Sequence, residues 1–186
     1  MFIYLLLFNR CVLKEKVNLS SPDPTSGLKV LLVNSTFGGV SGSGKHVQLL
    51  HEFLKDKIDF EVWDVNTIGC INVPKIKNAS FYIKCRLKRI PADIDIIHVH
   101  NPKFAGLLKD GKANIVTIHG SHEDELTLQY GLLSKPLIWY IRRNLKKADA
   151  ITCVVPYTAE RMGWTWIPNM IDVESVERIR PATDSR

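Results

Sequence analysis

Leu28 to Asn34 reads LKVLLVN, and the glycine-rich stretch Phe37 to His46, FGGVSGSGKH, follows it closely. A short apolar run closed by turn residues is the pattern of a strand buried on both faces of a parallel sheet. Beyond the glycines, Val47, Leu50, Phe53 and Leu54 recur at helical spacing, which predicts an amphipathic helix with those four side chains inward. Strand, glycine loop and helix, in that order, decide how the rest of the chain is read.

Outward from this unit the alternation continues. Phe60 to Val65, Ile94 to Val99, Ala113 to Ile118 and Ala150 to Val155 are β-rich runs. Between them, Ser80 to Ile90 reads as a helix with Ile83, Leu87 and Ile90 inward and its bases outward. Phe104 to Leu108 is helix-sized, and Leu137 to Lys147 reads as a further helix. Repeated strand–helix–strand units imply right-handed crossovers and an α/β, Rossmann-like parallel sheet with helices on both faces. Ligands of such sheets bind beyond the carboxyl ends of the strands. That singles out Ser35 to Lys45, His98 to Pro102, His119 to Glu125 and the segment after Val155.

Composition sets the bounds. The chain has 186 residues, 45% hydrophobic and 24% charged, a globular composition that excludes a collagen-like rod and a polytopic membrane protein. Length favours one domain. The 25 Lys and Arg exceed the 19 Asp and Glu, leaving +6. Bases lie at Lys75 to Lys77, Lys84 to Arg89 and Arg142 to Lys147, suited to anionic partners or simply to solvated helix faces. Cys11, Cys70, Cys85 and Cys153 show no close pairing, which fits reduced thiols and a cytoplasmic setting.

Met1 to Phe8, MFIYLLLF, falls short of the roughly 20 apolar residues that a spanning helix needs. It also lacks a basic lead and a small-residue cleavage site. It fits a shallow anchor, an added element or an extension without structural role. Ser20 to Gly27, SSPDPTSG, reads as a linker, so residues 1–27 are expected to precede a domain over 28–170, with 171–186 as an interdomain segment or tail.

Each motif carries alternatives. Gly39 to Lys45 satisfies G-x-x-x-x-G-K, the opening of a P-loop, yet His46 stands where a Ser or Thr would ligate Mg²⁺. The same glycines fit a tight turn, or a phosphate cradle at a helix N-terminus. His98 and His100 alternate onto one sheet face, and His119 and His122 follow the next strand. Four histidines there fit a loose metal pattern, or contacts to a polar ligand. Glu123 and Glu125, two apart on a helix, diverge and make a poor hydrolytic pair.

Five segments taken in order resemble the N-terminal half of family 4 glycosyltransferases, which adopt the GT-B fold. They are KVLLVNSTFGGVSGSGKHVQLL, DIIHVHNPKFAGLL, NIVTIHGSH, KKADAITCVV and WIPNMIDV, running from Lys29 to about Val173. The resemblance implies one half of a two-domain enzyme, in which the first domain binds acceptor and the second a nucleotide-sugar donor. Gly38 and Gly39 match the glycine-rich loop that approaches the donor phosphates, where Ser41, Gly42 and Lys45 are expected as well. His119 matches the histidine of the T-x-H-G segment near the transferred sugar and is the expected catalytic residue, with His100 and Gly120 beside it. Pro168 and Asn169 match P-N-x-x-D, with Met170 in place of the usual Gly.

The resemblance further implies transfer with retention of configuration, no metal and no cofactor beyond the nucleotide sugar as substrate. The acceptor would be a glycan or lipid-linked, with peripheral contact at the inner membrane face and no nucleic acid. Only Val173 to Arg186 remain after P-N-x-x-D, and Glu174 and Glu177 do not reproduce the family's E-x7-E pair. The expectation is therefore a chain incomplete without a second domain, either because another subunit supplies it or because the chain is a fragment. The alternatives are a non-catalytic glycan- or lipid-binding module and a P-loop nucleotide-binding protein.

Overall fold

The structure, a computed structural model, describes residues 27–39, 41–73 and 76–169. Expectations for Met1 to Phe8, Cys11, most of the linker, Met170 and the tail with Glu174 and Glu177 lie outside the described residues. In chain order the elements are β1 (Lys29–Val33), α1 (Gly42–Leu54), β2 (Asp59–Trp63), α2 (Lys77–Leu87) and β3 (Ile96–Val99). A 3₁₀ turn at Pro102–Leu107 leads to β4 (Ala113–Ile118), α3 (His122–Tyr130) and, past a second 3₁₀ turn, α4 (Ser134–Leu145). β5 (Ala150–Cys153), α5 (Pro156–Met162) and the two-residue β6 (Thr165–Trp166) complete the described chain.

The six strands form one sheet in the order β2-β1-β3-β4-β5-β6. Every pairing is parallel. This is the α/β, Rossmann-like sheet that the apolar runs predict. The chain steps from β1 outward to β2, then returns across β1 to β3, so the winding reverses there. At such a reversal the flanking loops leave in opposite directions and a crevice opens at the carboxyl ends of β1 and β3.

Alternation along the strands divides the core in two. Leu31, Val33, Ile97, Val99, Val116 and Ile118 share one face with Phe81 and Cys85 of α2, Phe104 of the 3₁₀ turn and Ile141 of α4. Val30, Leu32, Ile96 and Ile115 face the other way, onto Val47, Leu50 and Leu54 of α1. No helix among the described residues is long and apolar enough to cross a membrane. Cys85 and Cys153 are buried free thiols, and Cys70 is a half-buried one.

Two helix faces differ from the sequence reading. Phe53 is 61% exposed, because Val47, Leu50 and Leu54 already fill the strip that meets the sheet. In α2 the inward pair is Phe81 and Cys85, while Ile83 and Leu87 are 56% and 82% exposed. Phe81 meets Phe104 edge to face, with centroids 5.3 Å apart, and one such buried aromatic sets the rotation of an 11-residue helix. Ile90, beyond the helix end, does pack against the core.

Phe104→Ala should therefore cost about 3–5 kcal/mol in denaturant unfolding, whereas Phe53→Ala should stay within about 0.5 kcal/mol. Comparable losses for the two would contradict the packing described.

Candidate functional site

The glycine loop is built so that α1 can begin close to the sheet. Gly38 and Gly39 both adopt φ of +72°, a left-handed conformation that favours glycine. The Gly38 N–H donates to the Gly44 carbonyl at 2.8 Å. Ser41 is the helix N-cap, its Oγ accepting from the Gly44 N–H at 3.0 Å and bonding Thr36 Oγ1 at 2.9 Å. A Cβ on Gly44 would overlap the Gly38 carbonyl, Ser41 Oγ and Thr36 Oγ1. Of the Ser-Gly-Ser-Gly stretch, the first serine and the last glycine thus close the loop.

Beneath α1 the sheet carries a polar row. His98, Thr117 and Thr152 sit on the face shared with Ile96, Ile115 and Ala150, as period-two alternation requires. His98 Nε2 pairs with Thr117 Oγ1 at 2.7 Å, and Thr117 Oγ1 with Thr152 Oγ1 at 2.8 Å. These buried groups satisfy one another across three strands. Two residues further along, where the strands end, come His100 and His119.

α1 brings His46 over that pair. The His46 ring lies 5.5 Å from His100 and 5.0 Å from His119, centroid to centroid, and His98 stacks on His100 at 4.0 Å. Unlike the row below, these rings are not satisfied. Nδ1 of His46, both nitrogens of His100, and Nε2 of His119 and of His122 have no hydrogen-bond partner among the described residues.

A cavity of about 290 Å³ opens above them, at the carboxyl ends of the strands. Of the residues singled out from sequence, Gly42, His100, His119, Gly120, His122, Glu125 and Asn169 line it. Gly38, Gly39, Ser41 and Lys45 do not. Lys45 is exposed, with Nζ 3.5 Å from Gln48 Oε1, away from the position that a P-loop lysine occupies over phosphate. Asn101 and Ser43 fall within the strand-end stretches picked out from sequence, and Lys103 lines the cavity without having been foreseen. The Asn-Pro pair just before it was the available signal. Asn101 Oδ1 accepts from the Lys103 N–H at 3.0 Å and caps the 3₁₀ turn that Pro102 opens. Glu123 and Glu125 do diverge. Glu123 takes a bidentate grip from Arg142 at 2.7 and 2.6 Å, and Glu125 faces the cavity.

Burial keeps the histidines neutral. It pushes His98 down to about 3 and His119 down to about 4, with neighbouring imidazoles adding to both effects. His100 lies well below its ordinary value for the same reasons. Burial also lowers His46, against a hydrogen bond to the Asn169 side chain that acts in the opposite sense. The cavity therefore offers uncharged rings that exchange hydrogen bonds with hydroxyls. Its first-turn α1 residues Gly42 and Ser43, together with the Lys103 ammonium, favour an anion.

The same shifts tie stability to pH. An unfolded histidine takes up a proton below about 6.5, whereas the folded rings decline it. Their contribution is complete above about pH 6.5 and is lost as pH falls, toward about 4 for His119 and about 3 for His98. The denaturant midpoint should drop across that window, and His98→Gln should flatten the drop. An unchanged slope in the variant would contradict the assignment.

No curated protein matches the chain. The sequence profile of Glycosyltransferase Family 4 matches residues 41–175, from the N-cap of α1 through the last strand described, and thus covers the cavity and the helices around it. Since that match takes in well over half of the sequence, the chain belongs to glycosyltransferase family 4.

Proposed function

We propose that the chain is the acceptor-binding half of a retaining glycosyltransferase, working with a second domain that holds the nucleotide of a nucleotide-sugar donor. The observation that carries this reading is the mixed lining of the cavity. Gly42, Ser43 and Lys103 favour phosphate, and His100, His119 and Asn169 suit sugar hydroxyls.

Glycosyl transfer builds positive charge at the anomeric carbon and negative charge on the leaving diphosphate. Preorganised donors aimed at that diphosphate stabilise the transition state without reorganising as the bond breaks. The partial positive charge at the start of α1 and the Lys103 ammonium fit this task. The neutral His119 ring fits a hydrogen bond to the transferred sugar, with His100, Gly120 and Asn169 beside it. Gly38, Gly39, Ser41 and Lys45 support the site from outside the cavity, holding or flanking the start of α1.

The acceptor side has its own support. A second cavity of about 210 Å³ lies among Tyr82, Phe104, Leu126, Leu137 and Tyr140, and Lys103 lines both cavities. Leu128, Leu132, Leu133 and Trp139 are exposed on the neighbouring helices and turn. An acceptor with an apolar portion, such as a lipid-linked one, suits this surface. It would bring the protein to the inner face of a membrane as a peripheral, cytoplasmic partner.

Assayed with a donor-binding domain, nucleotide sugars and lipid-linked or glycan acceptors, the protein should give product of retained configuration by NMR. His119→Ala should lower kcat by about 10²–10³-fold, the usual effect of removing one preorganised donor. Unimpaired transfer by that variant would contradict the role of His119, and inverted product would contradict the retaining mechanism.

A further inference from the structure

His46, His100 and His119 come from three different places in the chain: the first turns of α1, the end of β3 and the end of β4. Each nevertheless offers a ring nitrogen within 4.8 Å of the other two. His46 and His100 are only 2% and 1% exposed. Nδ1 of His46, both nitrogens of His100 and Nε2 of His119 have no hydrogen-bond partner among the described residues. Buried polar atoms in native proteins are almost always paired, so a group of them facing one point calls for an occupant. Sequence spacing grouped His98 and His122 with His100 and His119, but His98 is tied to Thr117 and the residue that completes the convergence is His46.

We propose that His46, His100 and His119 bind one divalent transition metal ion of the Zn²⁺ class. Three neutral imidazoles present lone pairs, which suit Zn²⁺, Co²⁺, Ni²⁺ or Cu²⁺ and not the oxygen-seeking Mg²⁺ and Ca²⁺. A tetrahedral ion with Zn–N bonds of about 2.0–2.1 Å would hold its nitrogens about 3.4 Å apart. The rings must close in from the present spacing, by rotation about the second side-chain torsion, which is broad for histidine. Asn169 bonds the His46 ring and so supplies an outer partner of the kind that orients metal-ligating histidines. His98, stacked 4.0 Å from His100, backs the ring from the side of the sheet. His100 and His119 line the cavity, which gives the ion a path in and leaves a fourth position for water. The Glu125 carboxylate lines the same cavity and offsets the charge.

The ion is not a participant in transfer. Under the function proposed above, His119 contacts the sugar, so metal occupancy and transfer exclude each other, and Zn²⁺ acts as an inhibitor. That consequence rests on the proposed function, whereas metal binding itself does not.

The experiment is a Co²⁺ titration of the untagged, chelator-stripped protein, read by visible absorption and repeated with Zn²⁺ as competitor. The proposal requires one equivalent of Co²⁺ with the intense bands of a four- or five-coordinate site, displaced by Zn²⁺. Those bands should vanish in His100→Ala and in His46→Gln, each checked for native circular dichroism. His46→Gln keeps the variant set interpretable should His100→Ala fail to fold. Absence of stoichiometric binding in the native protein would overturn the proposal. So would bands that survive both substitutions, or that disappear when His51, half-buried against Phe37 and Phe60, is replaced. Inactivity in a transfer assay would bear on the proposed function and leave the metal result standing.

Discussion

The close approach of Gly44 to the loop before it governs the site. Gly44 accepts from the Gly38 N–H, donates to the Ser41 cap, and has no space for a side chain. Only with that contact made can α1 start low over the ends of β1 and β3. His46, two residues later, is then delivered onto His100 and His119. A helix that began one turn later or stood further off would leave the imidazoles apart and the cavity without its anion-favouring wall. The left-handed Gly38 and Gly39 serve the same end by turning the chain back from β1.

The sheet supplies the complementary half. Parallel strands buried on both faces admit polar side chains only where these satisfy one another, and His98, Thr117 and Thr152 do so in a row. Where pairing ends, the same alternation continues into His100 and His119 without partners. Stability and reactivity thus divide along one face of the sheet. The lower row is closed by its own hydrogen bonds, and the upper one is open to whatever enters the cavity. A low-dielectric surround keeps all these rings uncharged, so they meet a ligand by hydrogen bonding and not by charge.

Much of the fold was legible in the sequence because buried parallel strands write themselves as short apolar runs, as in Leu28 to Asn34 and Ala113 to Ile118. The strand ends also announced His100, His119 and Gly120. Helix rotation was less legible. In α2, Ile83 and Leu87 have helical spacing too, and only the seat that Phe104 makes for Phe81 decides between the faces. β6, two residues long, has no pattern to read. His46 was visible only as the residue that spoils a P-loop. Its place among the histidines depends on how α1 crosses the sheet, a tertiary fact that no local spacing carries. Lys103 was less legible, since Asn101 and Pro102 mark a turn but not that the turn brings Lys103 to the cavity.

Under the proposed function, a nucleotide sugar's diphosphate and sugar meet this domain in the strand-end cavity, between the start of α1 and the T-x-H-G segment. Amide NMR of the isotope-labelled protein, titrated with a panel of nucleotide sugars, tests it most directly. The expected shifts concentrate at Gly42, Ser43, Lys103 and Gly120. Shifts centred away from the cavity, or none with any donor even when a donor-binding domain is present, would contradict it.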